Sequence, residues 1–131
     1  LPRSRGLGDV YKRQQLSIQE IGEELKSISK LCRDLKIDKK EFFGGSMTIS
    51  SLGGIGGTFF TPIINPPEVA ILGVGKSYDK LVKDKNKIVS RKILPISLSY
   101  DHRIIDGAEG ARFCVYLGKC LGKDFAFKLA V

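Results

Sequence analysis

Apolar residues recur at helical spacing near the start of the chain, which predicts an amphipathic helix over about residues 17–35. The repeating positions are Ile18, Ile21, Leu25, Ile28, Leu31 or Cys32, and Leu35. Ser17 and Glu20 have the spacing of a capping box, in which each residue bonds the backbone N–H of the other, so the helix should begin there. We expect the apolar stripe to pack in a core and the charged residues to face water.

A second helix is predicted over about residues 107–122. Asp106 and Glu109 have capping-box spacing, with Asp106 as the N-cap. The apolar face predicted for this helix comprises Ala111, Phe113, Val115, Leu117, Gly118 and Leu121.

Between these helices the pattern predicts strands, so the chain is expected to have an α/β fold. Residues 47–50 suggest a short strand, and the apolar run 69–74 suggests a strand covered on both faces. Residues 88–99 carry one or two strands interrupted around Pro95. Residues 53–57 are a glycine-rich loop. The remaining local predictions are a solvated turn at residues 83–87 and a short helical turn at residues 38–41.

The two ends of the chain differ from its middle. Residues 1–14 show no amphipathic period, and we expect them to be adapter sequence that is not native. A native basic arm is the alternative. At the other end Phe125, Phe127, Leu129 and Val131 alternate with other residues, and this apolar tail requires a surface to cover it. A contact with another subunit and packing on its own subunit are both open.

Composition and charge argue against several classes of partner. The 131 residues include 22 basic and 14 acidic side chains, giving a net charge of +8. Basic runs with interleaved aromatics are lacking, so we expect no nucleic-acid partner. We expect no membrane partner, because no apolar run has the length of a bilayer span. Cys32, Cys114 and Cys120 lack metal-site spacing, so free thiols and no metal are expected.

The only histidine, His102, lies between a predicted strand and a predicted helix. Histidine often serves as a general base, because its ordinary pKa lies close to neutral pH. On these residues alone, His102 could equally fill a structural hydrogen bond, and Asp106 could serve only as a helix cap.

Longer motifs decide between these interpretations. The segment Asp-His-Arg-Ile-Ile-Asp-Gly at 101–107 resembles the active-site signature of the dihydrolipoamide acyltransferases, the E2 components of 2-oxo acid dehydrogenase complexes. Its wider pattern, His-x-x-x-Asp-Gly, is shared with chloramphenicol acetyltransferase. Residues 44–53 are similar to the family's Gly-Gly-x-Phe-Thr-Ile-Ser stretch, with Met47 where phenylalanine is usual. Residues 62–74 and 94–99 also resemble family blocks, in the family's order.

The resemblance implies a chloramphenicol-acetyltransferase-like two-layer α/β fold with a mixed sheet, present here as a partial domain. Residues 15–131 would form the C-terminal half of the catalytic domain. Alone, this half is expected to be inactive.

The resemblance also implies the chemistry. An acyl group would pass between the lipoyl arm, carried on another domain, and coenzyme A. His102 would be the general base and Ser50 the oxyanion donor, while Asp106 would organise the histidine loop through helix capping and an arginine contact. Arg103 would hold the loop by pairing with a carboxylate. Without the family, Ser50 is more simply a strand hydroxyl bonded to backbone. The flanks of the signature most resemble bacterial acetyltransferase members, which favours acetyl.

Family members form homotrimers in which the histidine and the serine come from different subunits. These trimers build a cubic or dodecahedral core of 24 or 60 subunits that works with E1 and E3 components. The expected location is the bacterial cytoplasm, or the mitochondrial matrix if the source is a eukaryote. The alternatives are a non-catalytic core subunit, a succinyl or branched-chain acyltransferase, and a stand-alone acetyltransferase acting on a hydroxyl.

Overall fold

A computed structural model describes residues 14–38 and 44–122. The chain divides into two compact units. The first comprises Leu1–Ser46 with Lys123–Val131, and the second comprises Met47–Gly122.

Helix α1, Ile18–Arg33, belongs to the first unit and confirms the first predicted helix. Ser17 is its N-cap, and both halves of the capping box are formed. The Ser17 N–H donates to the Glu20 carboxylate at 2.7 Å, and the Glu20 N–H donates to the Ser17 hydroxyl at 3.2 Å. These bonds lower the pKa of Glu20. The helix stops short of the predicted end, and Leu35 has a left-handed φ of 54°.

The apolar stripe of α1 was predicted to pack in a core, but it is not buried among the described residues. No α1 residue is buried, and Ile18 and Leu25 are 56% and 59% exposed. The described part of this unit, residues 14–38 and 44–46, contains no strand that could cover the stripe. The periodicity therefore predicted the helix correctly but not its partner.

The second unit is built on a three-stranded mixed sheet. Its strands are β1 (Thr48–Ser51), β2 (Ala70–Val74) and β5 (Ile96–Tyr100), in the order β1-β2-β5. β1 runs parallel to β2, whereas β5 is antiparallel to it. The central strand carries the buried apolar residues Ala70, Ile71 and Leu72. The α/β class and the covered apolar strand are thus confirmed.

An antiparallel hairpin, β3 (Tyr78–Asp84) with β4 (Lys87–Ile93), forms a separate two-stranded sheet. The predicted turn at 83–87 is too long at both ends, because only residues 85 and 86 lie between the paired Asp84 and Lys87. β3 was missed, since its mostly polar sequence carries little apolar signal. β4 and β5 confirm the two strands interrupted around Pro95.

Helix α2, Gly107–Cys120, confirms the second predicted helix, with Asp106 as N-cap. Its predicted apolar face is partly wrong. Val115 is 58% exposed and Ala111 is exposed, whereas Gly110 is buried and both Cys114 and Leu117 are half-buried. The covered face is displaced because Gly110 lies against an aromatic ring of β5.

Three predictions cannot be compared with this structure. The helical turn at 38–41 falls mostly on residues 39–41, the apolar tail falls at residues 125–131, and the adapter segment covers residues 1–14. Apart from residues 14 and 38, all of these lie outside the described residues. The division into residues 1–14 and 15–131 stays a prediction.

Candidate active site

The loop between β5 and α2 carries His102 and is tied down through Asp101. The Asp101 N–H donates to the Val69 carbonyl at 2.8 Å, which fixes the loop to the end of β2. The Asp101 carbonyl accepts from the N–H groups of Ile104 and Ile105, each at 3.0 Å. His102 is therefore held at the start of a tight turn that Asp101 closes and anchors to the residue preceding β2.

Arg103 pairs with the carboxylate of Asp101, which identifies the partner that the sequence left unnamed. Its backbone N–H, Nε and Nη2 donate to that carboxylate at 3.0, 2.9 and 2.7 Å. Hydrogen bonding from the Arg103 side chain and backbone lowers the pKa of Asp101 to about 2. The same pairing raises the pKa of Arg103. Asp101 was not among the predicted site residues, although it adjoins the histidine in sequence.

The His102 side chain is exposed. Within residues 14–38 and 44–122 its imidazole makes no hydrogen bond, and the imidazole lies beside the ring of Tyr100. The two ring centroids lie 5.8 Å apart, with the planes inclined at 40°. Sequence reasoning missed Tyr100, because an aromatic at the end of a strand gives no separate functional signal.

Asp106 acts as a helix cap in the structure, but the arginine contact expected for it is not formed in the described residues, because Arg103 pairs with Asp101. Its carboxylate accepts from the Glu109 N–H at 2.7 Å. The predicted return bond from the Glu109 side chain is not formed in the described structure. Glu109 instead borders an apolar groove.

Ser50 lies on β1, at the edge of the sheet and on the other face from Tyr100. It pairs with Gly73, which in turn pairs with Ser97 of β5. Because side chains alternate along a strand, Ser50, Gly73 and Ser97 share one face, while Tyr100 and α2 occupy the opposite face.

The structure does not bring Ser50 and His102 together. Tyr100 pairs at Ala70, three residues along β2 from the Gly73 level of Ser50. From strand rise and strand spacing, the backbones of Ser50 and Tyr100 are on the order of 15 Å apart. His102 lies two residues beyond Tyr100, so the pair cannot act on one reacting atom within this chain.

Two cavities border the histidine loop in this unit. A groove of about 250 Å³ lies between the sheet and α2. Its lining residues are Met47, Ala70, Leu98, Ile105, Glu109, Gly110 and Phe113. A cavity of about 400 Å³ lies on the side of Asp101 and Arg103, against residues 64–69. The paired Asp101 and Arg103 side chains border this second cavity together with Glu68.

No group of three or more His, Cys, Asp or Glu side chains in residues 14–38 and 44–122 is placed to hold a metal ion. In that same part of the chain, no helix combines the length and the apolar character needed to cross a membrane.

A family model described as the 2-oxoacid dehydrogenases acyltransferase catalytic domain matches residues 9–126. Among curated proteins, the chain is 56% identical over 108 residues to the dihydrolipoyllysine-residue acetyltransferase component of the pyruvate dehydrogenase complex of Cupriavidus necator. The Haemophilus influenzae protein of the same name is 55% identical over 104 residues. These matches cover 82% and 79% of this chain but only 19% and 18% of those proteins.

Solved structures agree with this match. One is Azotobacter vinelandii dihydrolipoamide acetyltransferase, from a study of a serine, a histidine and an asparagine in its catalytic mechanism, with a TM-score of 0.80 and 47% identity. Another is the cubic core of the pyruvate dehydrogenase multienzyme complex, with a TM-score of 0.80 and 46% identity. Each match covers 86% of this chain and 46% of the solved chain. The chain thus has the expected fold as a partial domain, and it spans about half the length of these solved chains.

Proposed function

The chain belongs to the acyltransferase family of the 2-oxoacid dehydrogenases, and from that membership we propose that it is the C-terminal half of the catalytic domain of a bacterial dihydrolipoyllysine acetyltransferase. The reaction is transfer of an acetyl group between the dihydrolipoyl arm and coenzyme A in a pyruvate dehydrogenase complex. The observation that carries the proposal is the exposed His102, held on a loop anchored through Asp101 between β5 and α2.

His102 acts as the general base. It accepts the proton of the attacking thiol, and the thiolate forms a carbon–sulfur bond to the carbonyl carbon of the thioester. The tetrahedral oxyanion then collapses, the original carbon–sulfur bond breaks, and the departing thiolate takes the proton from His102. No nucleophile from the protein is needed, because the acyl group passes directly from sulfur to sulfur.

Ser50 donates a hydrogen bond to the oxyanion. Removing one such donor raises the barrier by about 2.7–4 kcal/mol. Two observations support this assignment. Ser50, His102 and Asp106 have the same sequence spacing as the serine, histidine and asparagine studied in the Azotobacter enzyme. The distance between Ser50 and His102 within one chain also fits a site shared between two subunits.

The assembly follows from the same argument. We propose a homotrimer in which each active site combines His102 of one subunit with Ser50 of the next. The likeness to a cubic core supports assembly of such trimers into a larger core that works with E1 and E3 components. The bacterial relatives support a cytoplasmic location.

The test is an acyl-transfer assay with the full-length protein that contains this chain. Acetyl-, succinyl- and isobutyryl-coenzyme A are supplied with dihydrolipoamide, and His102→Ala and Ser50→Ala are compared with Arg112→Ala, an exposed change on α2. We expect acetyl transfer to fall at least a hundredfold in the first two variants and to persist in the third. A different preferred acyl donor would reassign the complex. A trimeric protein inactive with every donor would favour a non-catalytic core subunit instead.

A further inference from the structure

Tyr100 is half-buried at the end of β5, and its ring lies across the first turn of α2. A Cβ atom added at Gly110 would lie 2.9 Å from Cε1 and 3.1 Å from Cζ of that ring. A Cβ atom added at Gly107 would lie 3.8 Å from the Tyr100 hydroxyl. Residues three apart share one face of a helix, so the ring lies against the face formed by these two glycines.

Both β5 and α2 restrict the position of the Tyr100 ring. The backbone of Tyr100 is paired with Ala70 of the central strand, and Gly110 is the buried residue of α2. Any side chain at position 110 would displace the ring, because contacts under 3.0 Å to an aromatic carbon require a shift. The ring therefore has little freedom to move relative to β5 or α2.

The imidazole of His102 lies beside this fixed ring. Its centroid is 5.8 Å from that of Tyr100, a tilted arrangement within the range of favourable aromatic pairs. His102 Nε2 would be 4.0 Å from a Cβ at Gly107, the same point that the Tyr100 hydroxyl approaches. The imidazole makes no hydrogen bond among the described residues, so the ring of Tyr100 is the side-chain contact seen for it there.

We propose that Tyr100 is a positioning residue for His102, with Gly110 as the site against which its ring packs. The proposal rests on the proposed function, in which His102 is the base. Tyr100 acts through its ring, which holds the imidazole toward the start of α2. Misplacing a catalytic group by about 1 Å can lower the rate about a hundredfold, so a loss of this contact should be visible in turnover.

The first experiment needs no activity and uses the full-length protein that contains this chain. The imidazole signals of His102 are identified in its NMR spectrum by their loss in His102→Ala. In Tyr100→Phe we expect the ring-to-ring nuclear Overhauser contacts to remain, and in Tyr100→Leu we expect the imidazole proton signals to shift as the ring current is lost. Unchanged imidazole signals in Tyr100→Leu would overturn the proposal.

The second experiment measures acetyl transfer in the full-length protein. Tyr100→Leu should lower kcat about tenfold or more while the KM for coenzyme A stays within about twofold, because geometry and not substrate binding is lost. Tyr100→Phe should recover most of that kcat. A raised KM with unchanged kcat, or an equal loss in Tyr100→Phe, would overturn the positioning role.

Gly110→Ala keeps the tyrosine and tests the same contact if Tyr100→Leu fails to fold. Alanine favours helix over glycine, so any loss of kcat reports crowding of the ring and not a weaker helix. We expect a loss similar to that of Tyr100→Leu, and no further loss when both changes are combined. Full kcat in Gly110→Ala would count against the proposal. His102→Ala is run in parallel: if that variant stays active, the base assignment fails, while the NMR experiment still decides whether Tyr100 orients His102.

Discussion

Asp101 holds the histidine loop through three sets of hydrogen bonds. Its N–H bonds the end of β2, its carbonyl closes the turn, and its carboxylate holds Arg103. The Arg103 side chain is 88% exposed, so the pair owes its geometry to several donors on one carboxylate and not to burial. Such multidentate charge-assisted bonds are more specific than an ordinary surface ion pair.

The Asp101 carboxyl should titrate with a midpoint at about 2 and not at its ordinary 3.8. Because the pKa in the folded chain is depressed, this contact stabilises the loop fully above the ordinary value. The stabilisation then declines as the pH falls and is gone below the folded-state midpoint. Carbon NMR of the aspartate carboxyl groups measures it. Arg103→Lys cannot bond in the same forked manner and should raise the midpoint. A midpoint near 3.8 in the unaltered chain would contradict the pairing.

Whether the sequence alone predicts a site residue depends on how far apart in the chain the contacting residues lie. His102, Arg103 and Asp106 belong to one short motif, and the structure places all three on the loop or at its helix cap. Tyr100 and Gly110 meet only because a strand end and a helix turn pack together, which no local pattern reports. Ser50 was identified through resemblance alone, since a hydroxyl on a strand has no local signal of its own.

At the scale of helices and strands, α2 begins beside the histidine loop, and its N-cap can be tested directly. Asp106→Ala should lower the free energy of unfolding by about 0.5–2 kcal/mol, because the Glu109 N–H loses its acceptor. Asp106→Asn should retain most of the stability, since asparagine caps equally well. Urea denaturation followed by circular dichroism measures both. If the two variants lose the same stability, the charge and not the cap is what matters.

The capping box of α1 gives a parallel test in the first unit. Ser17→Ala removes the acceptor of the Glu20 N–H and should destabilise the helix start by about 1 kcal/mol. Amide hydrogen exchange at Glu20 and Ile21 should then be roughly fivefold faster. Ser27→Ala, an exposed change within the same helix, should leave these rates unchanged. Equal rates in Ser17→Ala would show that the box contributes nothing.

Helices and strands with a clear pattern in their own sequence were predicted well. Features that depend on contacts with other parts of the chain were not. Both helices have caps and periodicity, and β2 has an uninterrupted apolar run. β3 is a strand because seven residues pair in register with β4, while its own sequence is mostly polar. The face of α2 was partly misplaced, because its buried residue is the small Gly110, which an apolar pattern does not weight.

At the scale of the whole molecule, the sheet determines which of the proposed site residues can meet within one chain. Ser50 and the histidine loop are at different levels and on opposite faces of three strands. Strand order and pairing are tertiary facts, so the sequence could not show this separation except through resemblance. Only Ala70, Ile71 and Leu72 form the buried apolar core of the described residues. This limited core accords with the proposed role as part of a larger catalytic domain.

A site shared between subunits makes a prediction that a site within one subunit does not. In the full-length protein, Ser50→Ala and His102→Ala should each abolish most acetyl transfer. When the two inactive variants are unfolded together and refolded as mixed trimers, about a quarter of the head-to-tail interfaces should combine an intact His102 with an intact Ser50. Activity should therefore recover to about a quarter of the unaltered level. Trimers of each variant refolded alone are the control. If both residues acted within one subunit, every subunit would lack one of them and mixing would restore nothing.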